Sequence, residues 1–268
     1  MVRAITTLLG ASLLSACEPR DLPPLIEFEG AASADTVAHG QRIASVLGCR
    51  GCHGKDLQGR DFGDAEFGVL WSTNRSRSVP QLSDDQLRAA VQGGVRPDRP
   101  LWDMPSHLFT KLSGNDFAAL VAYLRSVPPG GKEHPQPSFT TAIRQEIASG
   151  AYWDSRQQVA REGQDWPPDA GPDHRLGRYI ARATCAECHK MNLAGGTPYP
   201  GAKPRPDLRM VGGYSLPDFR ALMQTGKAAG NREVGLMSEV ARGRYRHFTD
   251  AELEALHSYL QAVAASRP

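Results

Sequence analysis

Two stretches of this chain bring sulfur and imidazole together at fixed spacing: Cys49-Arg50-Gly51-Cys52-His53 and Cys185-Ala186-Glu187-Cys188-His189. Each carries two thiols separated by two residues, with a histidine directly after the second. A disulfide needs no histidine at that place. Structural zinc needs four ligands gathered at one site, and nothing in the sequence pairs the two motifs. A thioredoxin-like redox pair expects a βαβ setting, whereas the flanking patterns here are helical. The chemistry that uses every residue is c-type haem attachment, with two thioethers to the porphyrin vinyl groups and the adjacent imidazole as proximal iron ligand. Four of the five cysteines lie in these motifs. Two covalently attached haem c groups (iron) are therefore expected, one on Cys49 and Cys52 with His53, the other on Cys185 and Cys188 with His189.

The fifth cysteine, Cys17, closes the opening stretch MVRAITTLLGASLLSAC. Arg3 precedes an apolar run from Ala4 to Leu14. A bilayer core of roughly 30 Å takes about 20 helical residues to span, so this run reads as a secretory signal. Leu14-Ser15-Ala16-Cys17 resembles the bacterial lipobox, in which the cysteine receives a diacylglycerol thioether. Residues 1–17 are thus expected to be a lipoprotein signal peptide, with Cys17 lipidated, and residues 18–33 a polar, proline-bearing tether. That reading puts the body on the periplasmic side of a bacterial membrane, anchored by lipid. The 31 Lys and Arg residues nearly balance 29 Asp and Glu, which excludes a nucleic-acid footprint. The densest basic patch, Arg242, Arg244, Arg246 and His247, is either a dock for an acidic partner or an ordinary solvated face.

The elements that must position the motifs repeat. Val37, Gly40, Ile43, Ala44 and Leu47 mark one helical face before the first motif, and Leu176, Gly177, Ile180 and Ala181 one before the second. Downstream, Ser83 and Gln86 form a capping-box pattern, and Gly93 and Gly226 are candidate stops of the two middle helices. The closing helices carry Phe117, Leu120, Val121 and Leu124, and Leu253, Leu256, Leu260 and Val263, the latter opened by Thr249 and Glu252. His53 to Leu124 and His189 to Leu260 both span 71 positions. The boundary falls in the proline- and glycine-rich stretch around SVPPGGKEHPQPSF.

A haem iron held by one histidine needs a sixth ligand or an open position. Histidine with methionine suits electron transfer, and the soft thioether raises the potential. In the first half the candidate is Met104, in RPLWDMPSHLF, with His107 as competitor and core packing as the alternative. In the second half Met237 lies 48 residues beyond His189, as Met104 lies 51 beyond His53. Met210 and His247 compete, Met223 sits on an apolar helix face, and Met191 is too near His189 to wrap round the haem.

Each half resembles a class I cytochrome c domain, with a first-helix glycine (Gly40, Gly177), the haem motif, a methionine loop, and a last helix bearing an aromatic (Tyr123, Tyr259). That resemblance implies that the glycine admits a close helix crossing against the aromatic. The stretch GGVRPDRPLWDMPSHLFTKLSGNDFAALVAYLRSVPP resembles the cytochrome subunits of membrane-associated bacterial alcohol and aldehyde dehydrogenases. Those subunits commonly hold three haem domains, and this sequence holds two CxxCH motifs. The expected fold is all-α, with tandem class I cytochrome c domains over 34–128 and 173–268 joined by a Pro/Gly-rich linker, 129–172. The expected function is electron transfer between a dehydrogenase or other donor and the respiratory chain, through redox protein partners, without catalysis by this chain. A diheme peroxidase or thiosulfate-oxidising cytochrome, with one open or non-methionine iron, is the alternative. A non-haem lipoprotein is a further one.

Overall fold

The computed structural model describes residues 26–31, 34–198 and 202–266; the expected signal peptide and Cys17 lie outside them. The chain is mostly helical. A first helical unit comprises α1 (Thr36–Val46), α2 (Cys49–His53), a short strand β1 (Gly68–Val69), α3 (Arg75–Ser78), α4 (Asp84–Gly93), α5 (Ser106–Phe109) and α6 (Gly114–Ser126). After β2 (Ser138–Phe139), α7 (Thr141–Ser149) and α8 (Ser155–Glu162), a second unit follows. It contains α9 (Arg175–Thr184), α10 (Ala186–His189), α11 (Leu216–Thr225), the hairpin β3 (Lys227–Ala228) with β4 (Arg232–Glu233), α12 (Leu236–Gly243) and α13 (Asp250–Ala265).

In each unit the helix before the CxxCH motif crosses the last helix at a glycine. An ideal Cβ on Gly40 would lie 1.9 Å from the Ala119 carbonyl oxygen and 2.9 Å from Tyr123 Cβ. One on Gly177 would lie 2.2 Å from the Ala255 oxygen and 2.4 Å from Tyr259 Cβ. Only glycine lets the backbones approach this closely. Around the crossings α1 buries Ile43, Ala44 and Val46 against Phe117, Leu120 and Leu124 of α6, and α9 buries Ile180 against Leu256 and Tyr259 of α13.

The caps follow the side chains. Ser83 with Gln86 and Thr249 with Glu252 form reciprocal capping boxes. Gly226 stops α11 in the left-handed region at φ +77°. The stop of α4 differs by one position from the sequence expectation: Gly93 stays helical and Gly94, at φ +66°, forms the cap.

The two units share one buried cluster, and equivalent residues cross between them. Arg42, two positions after Gly40, donates to Glu252 at 2.8 Å. Tyr179, two positions after Gly177, donates to Asp116 at 2.8 Å. Both acids stand at the third helical position of a last helix, and both are fully buried. The exchange is close to a two-fold relation, in which each first helix binds the other unit's last helix.

Two stretches outside the helical units make contacts that the sequence did not show. The stretch 18–33, expected to be a tether, includes a wedge between the units. The Phe28 amide donates to Asp116 at 3.0 Å, the Glu29 amide to Glu252 at 2.9 Å, and the Phe28 ring is fully buried against Tyr179. The wedge forms because each buried carboxylate still has lone pairs to satisfy. The stretch 129–172, expected to be a linker, is folded onto the first unit. β2 pairs with β1, α8 packs on α5, and Tyr152 donates to Asp103 at 2.8 Å. Arg182 of α9, also fully buried, closes the join by donating to the carbonyls of His107 at 2.8 Å and Gly163 at 3.0 Å, and to that of Leu108.

Candidate functional site

The first motif follows α1 through Gly48, whose φ of +83° turns the chain into α2. His53 Nδ1 lies 2.9 Å from the Thr73 carbonyl oxygen. A carbonyl only accepts, so Nδ1 carries the proton and the Nε2 lone pair is left for a metal. Burial, assisted by Arg75, pushes the imidazole down to about 3, which keeps it in its neutral, ligating form. Beside it opens a cleft walled by apolar side chains such as Leu87, Val91 and Leu120. Cys49, His53 and Met104 face the same cleft. Arg75 also lines it, buried, with its nearest charged neighbours mostly the arginines Arg96 and Arg99.

These residues fit a haem. The apolar walls suit a porphyrin, the thiol a thioether bond, the free Nε2 an iron, and the buried Arg75, which forms no ion pair among the described residues, the carboxylates at a haem's periphery. Burial raises the Cys49 thiol to about 11, so it is not a reactive thiolate.

The second motif repeats this chemistry. His189 Nδ1 lies 2.8 Å from the Pro206 carbonyl oxygen, again leaving Nε2 free, and burial again lowers its basicity. Burial likewise raises the Cys185 thiol to about 11. Among the described residues the four motif cysteines form no disulfide, and no three His, Cys, Asp or Glu side chains cluster as a metal site. The two CxxCH motifs carry two covalently bound haem c groups.

The competing ligands separate by position. His107 is buried with Nε2 3.7 Å from a Glu162 oxygen, and it does not line the cleft. Met237, in the first turn of α12, is half-buried and packs on the core, as does Met191 near the motif itself. Met210 is 51% exposed and Met223 is a core residue. The basic patch is divided: Arg242 pairs with Glu233, Arg244 is largely covered between the units, and His247 shares a groove with Arg42 and Arg50.

Sequence reasoning missed a shared turn after each histidine. Leu57 and Leu193, four residues on, are both buried at left-handed φ, +56° and +59°. Gly59 and Gly195, six residues on, donate their amides to the carbonyls of His53 and His189. The signal was present as H-x-x-x-L-x-G in both halves. The carbonyl acceptors Thr73 and Pro206 were missed too. Each directly precedes a capping residue, Asn74 or Asp207, that opens the next helical turn.

These features are those of c-type haem attachment at two motifs. Residues 175–264 match the cytochrome c family model. The fructose dehydrogenase cytochrome subunit of Gluconobacter japonicus is 25% identical over 97% of this chain and 58% of its own length. The cytochrome c subunits of quinone-dependent alcohol dehydrogenases are 24% identical in Gluconacetobacter polyoxogenes and 22% in Gluconobacter oxydans (strain 621H). Those matches cover 88% and 85% of this chain and 58% and 55% of the relatives. The chain therefore spans a little over half the length of these relatives. It resembles a diheme class I cytochrome c of the kind found in such subunits.

Proposed function

We propose that this chain is a lipid-anchored, periplasmic-facing electron carrier with tandem cytochrome c domains over 34–128 and 173–268. It passes electrons from a dehydrogenase toward the respiratory chain, with Cys17 bearing the anchor. The relatives, which are dehydrogenase subunits, support the donor class. Among the described residues no helix is long and apolar enough to cross a membrane.

The observation that carries the reading is the first cleft, where Met104 and His53 line one apolar space with Cys49. His53 with Met104, and His189 with Met237, are the ligand pairs. A haem iron so held would supply one-electron redox chemistry with no proton to move. The chain's own part is to hold each imidazole in its neutral tautomer through a backbone carbonyl and to exclude water with Leu57, Leu193 and the helix crossings. The Met104 loop is braced: Tyr152 holds Asp103, which stands at φ +55°, and the Ser106 hydroxyl donates to the Ala90 carbonyl at 3.0 Å. Bracing of this kind keeps rearrangement small when the iron changes charge.

Near-infrared magnetic circular dichroism of the oxidised holoprotein tests the assignment. Two low-spin histidine–methionine signals per chain are expected. Met104→Ala and Met237→Ala should each remove one of them. A high-spin or bis-histidine signal in the wild-type chain refutes the carrier assignment at that iron.

A further inference from the structure

The two haem motifs are 136 positions apart in sequence, yet one side chain touches the surroundings of both. Arg244 caps the end of α12 with its side chain largely buried between the units. Its Nε donates at 3.2 Å to the carbonyl of Val46, at the end of α1 and three residues before Cys49. Its Nη1 donates at 2.6 Å to Glu187, which stands between Cys185 and Cys188. The guanidinium lies so close to Gly48 that a Cβ there would be 2.6 Å from Cζ. Its neighbour Tyr245 donates at 3.2 Å to the carbonyl of Thr184, directly before Cys185. One residue thus ties the turn that opens the first motif to the interior of the second.

We propose that Arg244 is a positioning residue that holds the two haem-attachment turns face to face and so sets the gap an electron crosses between haems. The proposal rests on the electron-carrier reading above. Because thioethers tie an edge of each porphyrin to its turn, whatever fixes the turns also fixes the separation of those edges. Electron tunnelling falls steeply with separation. In the step itself one iron is oxidised as the other is reduced by the same single electron, and no atom or proton is transferred.

A packing role alone would not call for an arginine. A buried cation is tolerated only where its charge is met. Here Glu187 meets the charge and Nη1, the Val46 carbonyl takes Nε, and Nη2 has no partner among the described residues, so every hydrogen bond the guanidinium makes runs to one of the two attachment turns. The planar guanidinium presents donors in divergent directions, which lets it serve both at once. Gly48 leaves the space that the guanidinium occupies.

The test uses the full-length holoprotein with both haems attached. Arg244→Met keeps an unbranched apolar stem and removes the charge and donors. Glu187→Gln breaks only the ion pair and leaves the bond to Val46, which provides a milder variant should Arg244→Met fail to mature. Interhaem exchange is read by flash photolysis, the mutual orientation of the haems by the exciton couplet in Soret circular dichroism, and the ligands by near-infrared magnetic circular dichroism. Arg244→Met is expected to slow exchange several-fold, because tunnelling falls exponentially with the separation that the lost ties would widen. The couplet should shrink while haem content and ligand signals stay at wild-type values. Glu187→Gln should move rate and couplet in the same direction by less. A wild-type rate and couplet in both variants overturn the proposal alone. Absence of exchange in the wild-type chain overturns the carrier reading and the proposal with it.

Discussion

Replacing Gly40 by alanine puts a methyl group into the crossing of α1 and α6, and the structure sets the size of the conflict. The new Cβ would lie 1.9 Å from the Ala119 oxygen, 2.5 Å from its carbonyl carbon and 2.9 Å from Tyr123 Cβ. Two of these atoms are backbone and cannot rotate away. Restoring even a 3.0 Å approach to the oxygen moves the helices apart by about 1.1 Å, the difference between 3.0 and 1.9. A gap of roughly 0.5–1 Å already forfeits a quarter to a half of a contact's dispersion energy. Overpacking of this type costs about 3 kcal/mol at the upper end of the usual range. Alanine's better helix propensity offsets about 1 kcal/mol, leaving a net loss of about 2 kcal/mol. Gly177→Ala meets the equivalent obstacle at Ala255 and should behave alike. Gly114→Ala is the control: it stands in the first turn of α6 with nothing near its would-be Cβ. It should gain up to about 1 kcal/mol. Denaturant titration of the holoproteins, followed by far-ultraviolet circular dichroism, reads these as midpoint shifts at constant slope. A Gly40→Ala midpoint at or above wild type, with the control behaving as stated, refutes the crossing argument.

Phe28→Ala should remove about 3–5 kcal/mol, the usual cost of emptying a fully buried phenylalanine site, and an unchanged unfolding midpoint would show that the wedge does not bind the units. Acid should weaken the fold through His107, whose imidazole burial and Arg182 push from the ordinary 6.5 down to about 4. The unfolded chain takes up that proton first, so the contribution is complete above pH 6.5 and is lost as pH falls toward about 4. His107→Gln should lose less stability between pH 7 and pH 5 than wild type in the same titration, and equal losses would place the acid sensitivity elsewhere.

Much of each unit was legible because its information is local. A CxxCH motif carries its thiols and imidazole within five residues. Capping boxes span three positions, and the apolar faces of the closing helices recur every three or four. Chemistry and periodicity at that range survive in any context, so Ser83 with Gln86, Thr249 with Glu252 and the two haem motifs needed no fold to be recognised. Gly40 and Gly177 were placed correctly by resemblance, but the carbonyls that exclude a side chain there are 79 and 78 positions away. The tertiary structure alone decided how the units join. Arg42 with Glu252, Tyr179 with Asp116, and Phe28 between them are pairings across 63 to 210 positions. The connector 129–172 was legible as a break in periodicity, but not as a layer on the first unit, because its proline and glycine content describes local conformation only. Arg244 shows the same limit most sharply. In the sequence it is one basic residue among several; in the fold its hydrogen bonds run to Val46, three residues before Cys49, and to Glu187, between Cys185 and Cys188.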